Sequence, residues 1–242
     1  MNCFQTKHGY MNVFNNDIVF ASCLSKGKIY EEELVLKHIV PKINNIEGNK
    51  IILDVGSHIG SHTLLYGKYI ENCFIHAFEP QKEIFKLLQQ NIIINNINNN
   101  VKLYNNSVGH KIINCNMSKQ LYDGYDCDIE YNTSKILNYG GLQLGLDGEP
   151  TKMITIDSLN LSNCHYIKID VEGAESLVLM GGMETIKKFK PIIFFECTSK
   201  FVNDEMKQSL EIDFEPLSSI DILKNEGYTI IDVDSNNKLA IY

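Results

Sequence analysis

The stretch IILDVGSHIGSHT, residues 51 to 63, constrains the fold more than any other part of the chain. Ile51, Ile52, Leu53 and Val55 around Asp54 read as a strand buried on both faces, which is the signature of a parallel sheet. The strand runs into Gly56, and a helical pattern opens near Gly60. A strand, a glycine turn and a helix start form a natural anion site, because free N–H groups and the helix dipole face the ligand. A dinucleotide fingerprint would need glycine at 56, 58 and 61, and positions 58 and 61 are His58 and Ser61. Pyrophosphate binding is therefore disfavoured. The pattern Asp-x-Gly-x-x-x-Gly suits a zwitterionic amino-acid tail instead. The helix start would take its carboxylate, and Asp54 would take its ammonium directly or through water. S-adenosylmethionine carries such a tail.

The rest of the chain alternates strand and helix patterns, which argues for a doubly wound α/β sheet. Strands are expected at 73–78, 101–104, 166–171 and 191–196, with a closing hairpin of 228–233 and 238–242 that turns at Asn236-Asn237. Pro80 should open a helix to about residue 95 with a stripe of Ile84, Leu87, Leu88, Asn91 and Ile92. The repeat NNINNN at 95–100 reads as a connection. Further helices are expected from Ala174 to the stop at Gly181-Gly182, and from Ser218 or Ser219 to Gly227. Residues 1–44 read as a hairpin-plus-helix cap ahead of a single domain at 45–242. The cap hairpin should turn at Asn15-Asn16-Asp17, and a helix from residue 30 should stop at Pro41. Residues 105–150 are the least regular part, and an insert of that kind is more often a functional loop than filler. Residues 199–216 are polar and expected to be mobile.

Acids recur where such strands end. Glu79 lies nineteen residues past Gly60 (79 minus 60), close to the distance at which an acid meets ribose hydroxyls in nucleotide-binding folds. Asp170 and Glu172 end the strand YIKIDVE, and Glu196 ends PIIFFE. Ligands bind beyond the carboxyl ends of strands in open α/β sheets, so these acids should rim one cleft. Period two puts Lys168, Asp170 and Glu172 on one side of their strand. A lysine inside a buried strand needs partners, for which Asp170 and Glu196 are the expected choice. The competing reading is a salt-bridge cluster that only holds the sheet. His58 and His62 are four apart, but with no third ligand nearby a metal is not expected. Cys73, Cys164 and Cys197 read as small core residues. Tyr122, Tyr125 and Tyr139 are candidates for an acceptor pocket, against the reading that loop aromatics serve local packing.

The net charge of −8 argues against a general nucleic-acid binder. The seven cysteines show no CxxC pair, and MNCFQTKHGY shows no signal-peptide pattern; reduced thiols in a cytoplasmic compartment are expected. No apolar run approaches a membrane span.

The stretches LDVGSHIGSHTLL, AFEPQKEIFKLLQQNIIIN, NNSVG, YGGLQL, TIDSL, IKIDVEGAESLVLMGG and PIIFFE resemble, in order, the FkbM family of S-adenosylmethionine-dependent methyltransferases. IKIDVEGAE followed by LMGG is the most specific of them. The resemblance implies a Rossmann-like seven-stranded sheet with one antiparallel strand and helices on both faces. It also implies methylation of a hydroxyl, commonly on a sugar or secondary metabolite. By that resemblance Gly56, Ser57, His58 and Gly60 border the methionine part, Glu79 and Pro80 the ribose, and Asn106 and Ser107 the adenine. Asp170 borders the reacting centre. The family often has a small residue and Asn where this chain has Ser57 and His58. Sulfonium is already an activated donor, so the protein's task is alignment and removal of the acceptor's proton. Asp170 is the expected base or orienting group, with Lys168, Glu172 and Glu196 tuning it. Carboxylates accept several hydroxyl hydrogen bonds, so a neutral sugar or glycan acceptor fits. An RNA ribose methyltransferase and a non-catalytic cofactor-binding protein are the alternatives.

Overall fold

A computed structural model describes residues 1–121, 138–197 and 202–242. The chain opens with a hairpin of β1 (Asn2–Thr6) and β2 (Gly9–Val13), followed by α1 (Ile18–Ser25). The hairpin turn is therefore at Lys7-His8 and not at Asn15-Asn16-Asp17. Asp17 instead caps α1, accepting from the N–H groups of Val19 and Phe20, an N-cap role that competes with a turn for the same residue type. Next come α2 (Glu32–Leu34), a π-helical turn (Val35–Ile39) and α3 (Val40–Asn44). Pro41 does not stop this helical run. It sits in the first turn of α3, where its missing N–H costs little, and the wider π turn precedes it.

The central sheet takes β3 (Lys50–Val55), β4 (Cys73–Phe78), β5 (Val101–Tyr104), β10 (Tyr166–Ile169), β11 (Ile192–Glu196), β12 (Thr229–Asp232) and β13 (Asn237–Ile241). Its strand order is β12-β13-β11-β10-β3-β4-β5. The β3, β4, β5, β10 and β11 pairings are parallel, and β13 runs antiparallel to both β11 and β12. This is the seven-stranded Rossmann-like sheet with one reversed strand. The order changes direction between β3 and β10, which opens a crevice at their carboxyl ends.

Alternation along each strand feeds a core on either face. Ile52 and Tyr166 join one cluster with Leu64 and Leu65 of α4 (Ser61–Tyr69) and Ile84 and Leu87 of α5 (Lys82–Ile94). Leu53, Ile167 and Ile169 join the other with Val178 of α6 (Glu175–Met180), Ile186 of α7 (Met183–Phe189) and Leu223 of α9 (Ser219–Asn225). The buried stripe of α5 is Ile84, Leu87, Leu88, Asn91 and Ile92, as its spacing predicts. Pro80 lies ahead of Gln81, the N-cap, so α5 starts two residues later than a proline at its first position would place it. Gly181 ends α6, but α7 follows almost at once. Met11, Val13, Phe20, Ile39 and Ile43 of the N-terminal elements belong to the first cluster.

Residues 105–150 are more regular than expected. They contribute β6 (Ser107–Val108), β7 (Ile113–Leu121) and β8 (Leu142–Gly145), which with β9 (Pro150–Ile154) make a second sheet in the order β6-β9-β7-β8. Within 199–216, α8 (Asp204–Ser209) is ordered by an Asn203 cap on the Met206 N–H. Among the described residues no helix is long and apolar enough to cross a membrane.

Candidate functional site

The turn after β3 is shaped by backbone conformation. Gly56 has φ +80°, and a Cβ there would lie 1.8 Å from the Asp170 carbonyl oxygen, so only glycine fits where the two strand ends meet. His58 also lies in the left-handed region at φ 50°. The Gly56 and Ser57 N–H groups both donate to Phe78 O, at 3.1 and 2.9 Å, and the His58 N–H donates to Glu79 Oε2 at 3.0 Å. The turn thus spends two of these N–H groups on the end of β4 and the third on the Glu79 carboxylate rather than offering them to an anion.

A cavity of about 230 Å³ opens beyond the carboxyl ends of β3, β4 and β10. That is many times the 10–15 Å³ a single water needs, so it is ligand-sized. Gly56, His58, Glu79, Pro80, Asn106 and Ser107 line it, and so do Asp170, Glu172 and Glu196. Asp54, Ser57, Gly60 and Lys168 do not line it. Asp54 is fully buried, accepting from Thr63 Oγ1 at 2.5 Å, and Ser57 donates its hydroxyl to Asp54 O at 2.7 Å. Lys168 is buried directly behind the wall. Its Nζ donates to Gly56 O at 2.6 Å and lies 3.2 Å from Asp170 Oδ2 and 3.7 Å from Asp54 Oδ1. Asp54 therefore stands where Glu196 was expected as the second partner, because Lys168 and Asp54 are register partners on adjacent strands. Burial opposes the charged lysine, but Asp170 and Asp54 outweigh it and raise its pKa.

Glu79 is buried, and burial pushes its carboxyl up to about 7 against the hydrogen bonds from Gln81 N and His58 N. Each carboxylate oxygen accepts one of those N–H groups and retains acceptor capacity. Burial and then Lys168 lower His58 to about 3, so its ring is neutral. Its 4.0 Å approach to Asp17 is therefore not an ion pair, and the ring stacks on Phe20 with centroids 4.2 Å apart. Asp170, Glu172 and Glu196 each offer an oxygen within 4.8 Å of the others. Such an all-oxygen set can accept several hydroxyl hydrogen bonds or hold a hard cation.

Sequence reasoning passed over several lining residues. Gln81 faces the cavity, and its buried Oε1 has no protein partner. Phe20, Tyr30 and Glu31 come from the N-terminal segment, Met117, Leu142 and Leu144 from the second sheet, and Asn237 from β13. Only Gln81 carried a local signal, as the residue between Pro80 and the helix. Tyr139 is buried against Phe14 and accepts from Asn16, while its neighbours Asn138 and Gly140 line the cavity. Tyr122 and Tyr125 lie outside the described residues. Cys73 and Cys164 are buried, and Cys197 is half-buried.

The donor set fits an S-adenosylmethionine-like molecule. Glu79 has spare acceptor capacity for a ribose diol, the Gln81 acceptor is orphaned nearby in the chain, and Asn106 and Ser107 line the same cavity. A sequence model of the methyltransferase FkbM domain matches residues 54–230. Among solved structures the chain is similar to a methyltransferase FkbM from Methylobacillus flagellatus KT, with 18% identity and a TM-score of 0.49. That alignment covers 80% of this chain and 44% of the other, so the chain spans less than half that protein's length. A precorrin 8w decarboxylase from Methanobacterium thermoautotrophicum has 12% identity and a TM-score of 0.47, covering 95% and 98%. A precorrin-6y C5,15-methyltransferase from Geobacter metallireducens GS-15 has 8% identity and a TM-score of 0.43, covering 84% and 85%. No curated protein matches the chain by sequence.

Proposed function

The chain belongs to the FkbM methyltransferase family, and from that premise we propose that it transfers a methyl group from S-adenosylmethionine to a hydroxyl of a small or glycan acceptor, most simply a sugar. The observation that carries the reading is the placement of Glu79 and Asp170 on one cavity at the point where the sheet order reverses. When bound, the cofactor supplies a methyl already activated by its sulfonium. Glu79 accepts the ribose hydroxyls, Pro80 borders the ribose, and Asn106 and Ser107 border the adenine. Gly56 and His58 flank the methionine part, with Asp54, Ser57 and Gly60 shaping the turn from behind.

Asp170 is the group that acts on the acceptor. A hydroxyl is a weak nucleophile until its proton is taken or held, and a carboxylate at the reacting centre does either. Lys168 holds the Asp170 carboxylate in place from within ion-pair reach, beside the buried Asp54. Glu172 and Glu196 orient neighbouring acceptor hydroxyls. Alignment of acceptor oxygen and methyl then supplies most of the remaining rate, as for any reaction between two bound groups.

Calorimetric titration with S-adenosylhomocysteine tests the cofactor half, and transfer to methyl glycosides tests the acceptor half. Binding of NAD with no response to S-adenosylhomocysteine would overturn the first. Transfer to RNA and not to glycosides would establish an RNA ribose methyltransferase in its place. Cofactor binding without any S-adenosylhomocysteine formation would leave a binding protein.

A further inference from the structure

The family match covers only part of the cavity lining. Tyr30 and Glu31 precede residue 54, where that match begins, and Asn237 follows residue 230, where it ends. All three line the same cavity as Asp170, Glu172 and Glu196.

Glu31 is held from two distant parts of the chain. Asn237 Nδ2 donates to Glu31 Oε1 at 3.1 Å. His62 Nε2 lies 3.2 Å from Oε2, within ion-pair reach though bent away from hydrogen-bond geometry. His62 is itself buried, with its Nδ1 3.5 Å from the Tyr66 hydroxyl, which in turn lies 3.0 Å from the Tyr166 hydroxyl. The backbone of Glu31 is left-handed at φ 54°, a conformation side-chain-bearing residues seldom adopt. The carboxylate is thus fixed in place before any ligand arrives, and a carboxylate holding one neighbour on each oxygen has lone pairs left for more donors. Tyr30, packed on Phe20 with centroids 5.1 Å apart, supplies a flat apolar wall next to it. Glu31, Asp170, Glu172 and Glu196 all line this one cavity.

We propose that Glu31 is an acceptor-binding residue, which takes the hydrogen bond of a second hydroxyl on the acceptor while Asp170 takes the one to be methylated, and that Asn237 and His62 position it. This inference rests on the sugar-acceptor reading above. The ligand it implies is a neutral polyol ring, with vicinal hydroxyls between the two carboxylates and its carbon face against Tyr30. The N-terminal segment then sets which acceptor is used, while residues within the family match hold the cofactor.

The test uses the full chain, with the methyl glycosides of glucose, galactose, mannose and rhamnose as acceptors. Transfer kinetics are measured beside S-adenosylhomocysteine affinity and melting temperature. Glu31→Gln should raise the acceptor KM by about 10-fold to 100-fold, the range for losing a hydrogen bond to a charged group. The S-adenosylhomocysteine Kd and the melting temperature should be unchanged. Asn237→Ala, which loosens Glu31 and leaves its charge, should raise the KM by a smaller factor with the same cofactor affinity. It decides the matter if Glu31→Gln folds poorly. An unchanged acceptor KM, or an equal loss of cofactor affinity, overturns the assignment of Glu31. Wild-type protein that transfers to none of the four glycosides overturns the sugar reading itself, and the inference with it.

Discussion

Lys168→Met separates a charge that holds the site together from one that merely sits there. Lys168 is buried, and its ammonium meets Gly56 O at 2.6 Å, Asp170 Oδ2 at 3.2 Å and Asp54 Oδ1 at 3.7 Å. Methionine keeps the length and apolar stem but removes the charge and all three donors. Asp54 then stays fully buried with only the Thr63 hydroxyl to stabilise it. Breaking a buried pair from one side costs about 3–5 kcal/mol. Asp170 adds less, because its side chain is 33% exposed and water screens it. Set against a total stability of about 5–15 kcal/mol, this is a large share. At about 2–4 °C per kcal/mol for a chain of this size, the melting temperature should fall by roughly 6–20 °C. Urea unfolding of wild type, Lys168→Met, Asp54→Asn and the double variant measures the pair directly. Asp54→Asn should recover part of the loss in the Lys168→Met background, since the amide keeps the Thr63 contact without the stranded charge. A loss under about 1 kcal/mol, with no coupling in the cycle, would refute the placement of Lys168 as the counter-charge of both acids.

Four further outcomes follow from the same geometry. Glu79→Ala should weaken S-adenosylhomocysteine by about 1.5–3 kcal/mol, read by calorimetry, since the ribose loses a charged acceptor; no change would put the ribose elsewhere. Because Glu79 titrates at about 7 and the hydroxyls favour its ionised form, affinity should tighten as pH rises from 5.5 to about 7 and then level, with proton release on binding; a flat profile refutes the linkage. The free protein should behave in the opposite sense. Glu79 and Glu175 are both raised from the ordinary 4.5 to about 7, so the native state binds protons that the unfolded chain has lost, and urea stability should fall as pH rises between those values. Gly56→Ala should leave little folded protein, because its Cβ would meet the Asp170 carbonyl at 1.8 Å and the backbone there is left-handed; a normal melting curve would refute the close approach.

The parallel core was legible because buried parallel strands read as continuous apolar runs and the helix between them carries an unbroken stripe. Residues 51–55, 73–78 and 101–104 show the first, and Ile84 to Ile92 the second. The second sheet was missed although Ile113, Cys115 and Met117 alternate with Asn114, Asn116 and Ser118, a period-two signal masked by small and polar residues. Pro41 misled because the rule that proline ends a helix holds for interiors, and here a π turn resets the register just before it. The acids at the strand ends announced the cleft. Which of them face it and which lie behind was not announced, since Asp54 and Lys168 differ from Asp170 only in depth. Tyr30, Glu31 and Asn237 carry patterns for a helix start and a hairpin turn, but none that points to a site. They reach the cavity through contacts more than two hundred residues apart in the case of Glu31 and Asn237 (237 minus 31), and no spacing rule reports that.

The central claim, methyl transfer to a hydroxyl with Asp170 acting on its proton, is tested by one single-turnover experiment. Wild type and Asp170→Asn are loaded with S-adenosylmethionine labelled at the methyl carbon with carbon-13, mixed with the methyl glycosides, and followed by NMR. The account predicts an O-methyl resonance rising in step with S-adenosylhomocysteine in the wild type. In Asp170→Asn the same resonance should form about 10²–10⁴-fold more slowly, with cofactor affinity and melting temperature preserved. Label appearing on nitrogen or carbon, or an Asp170→Asn variant that transfers at the wild-type rate and only melts earlier, would contradict it.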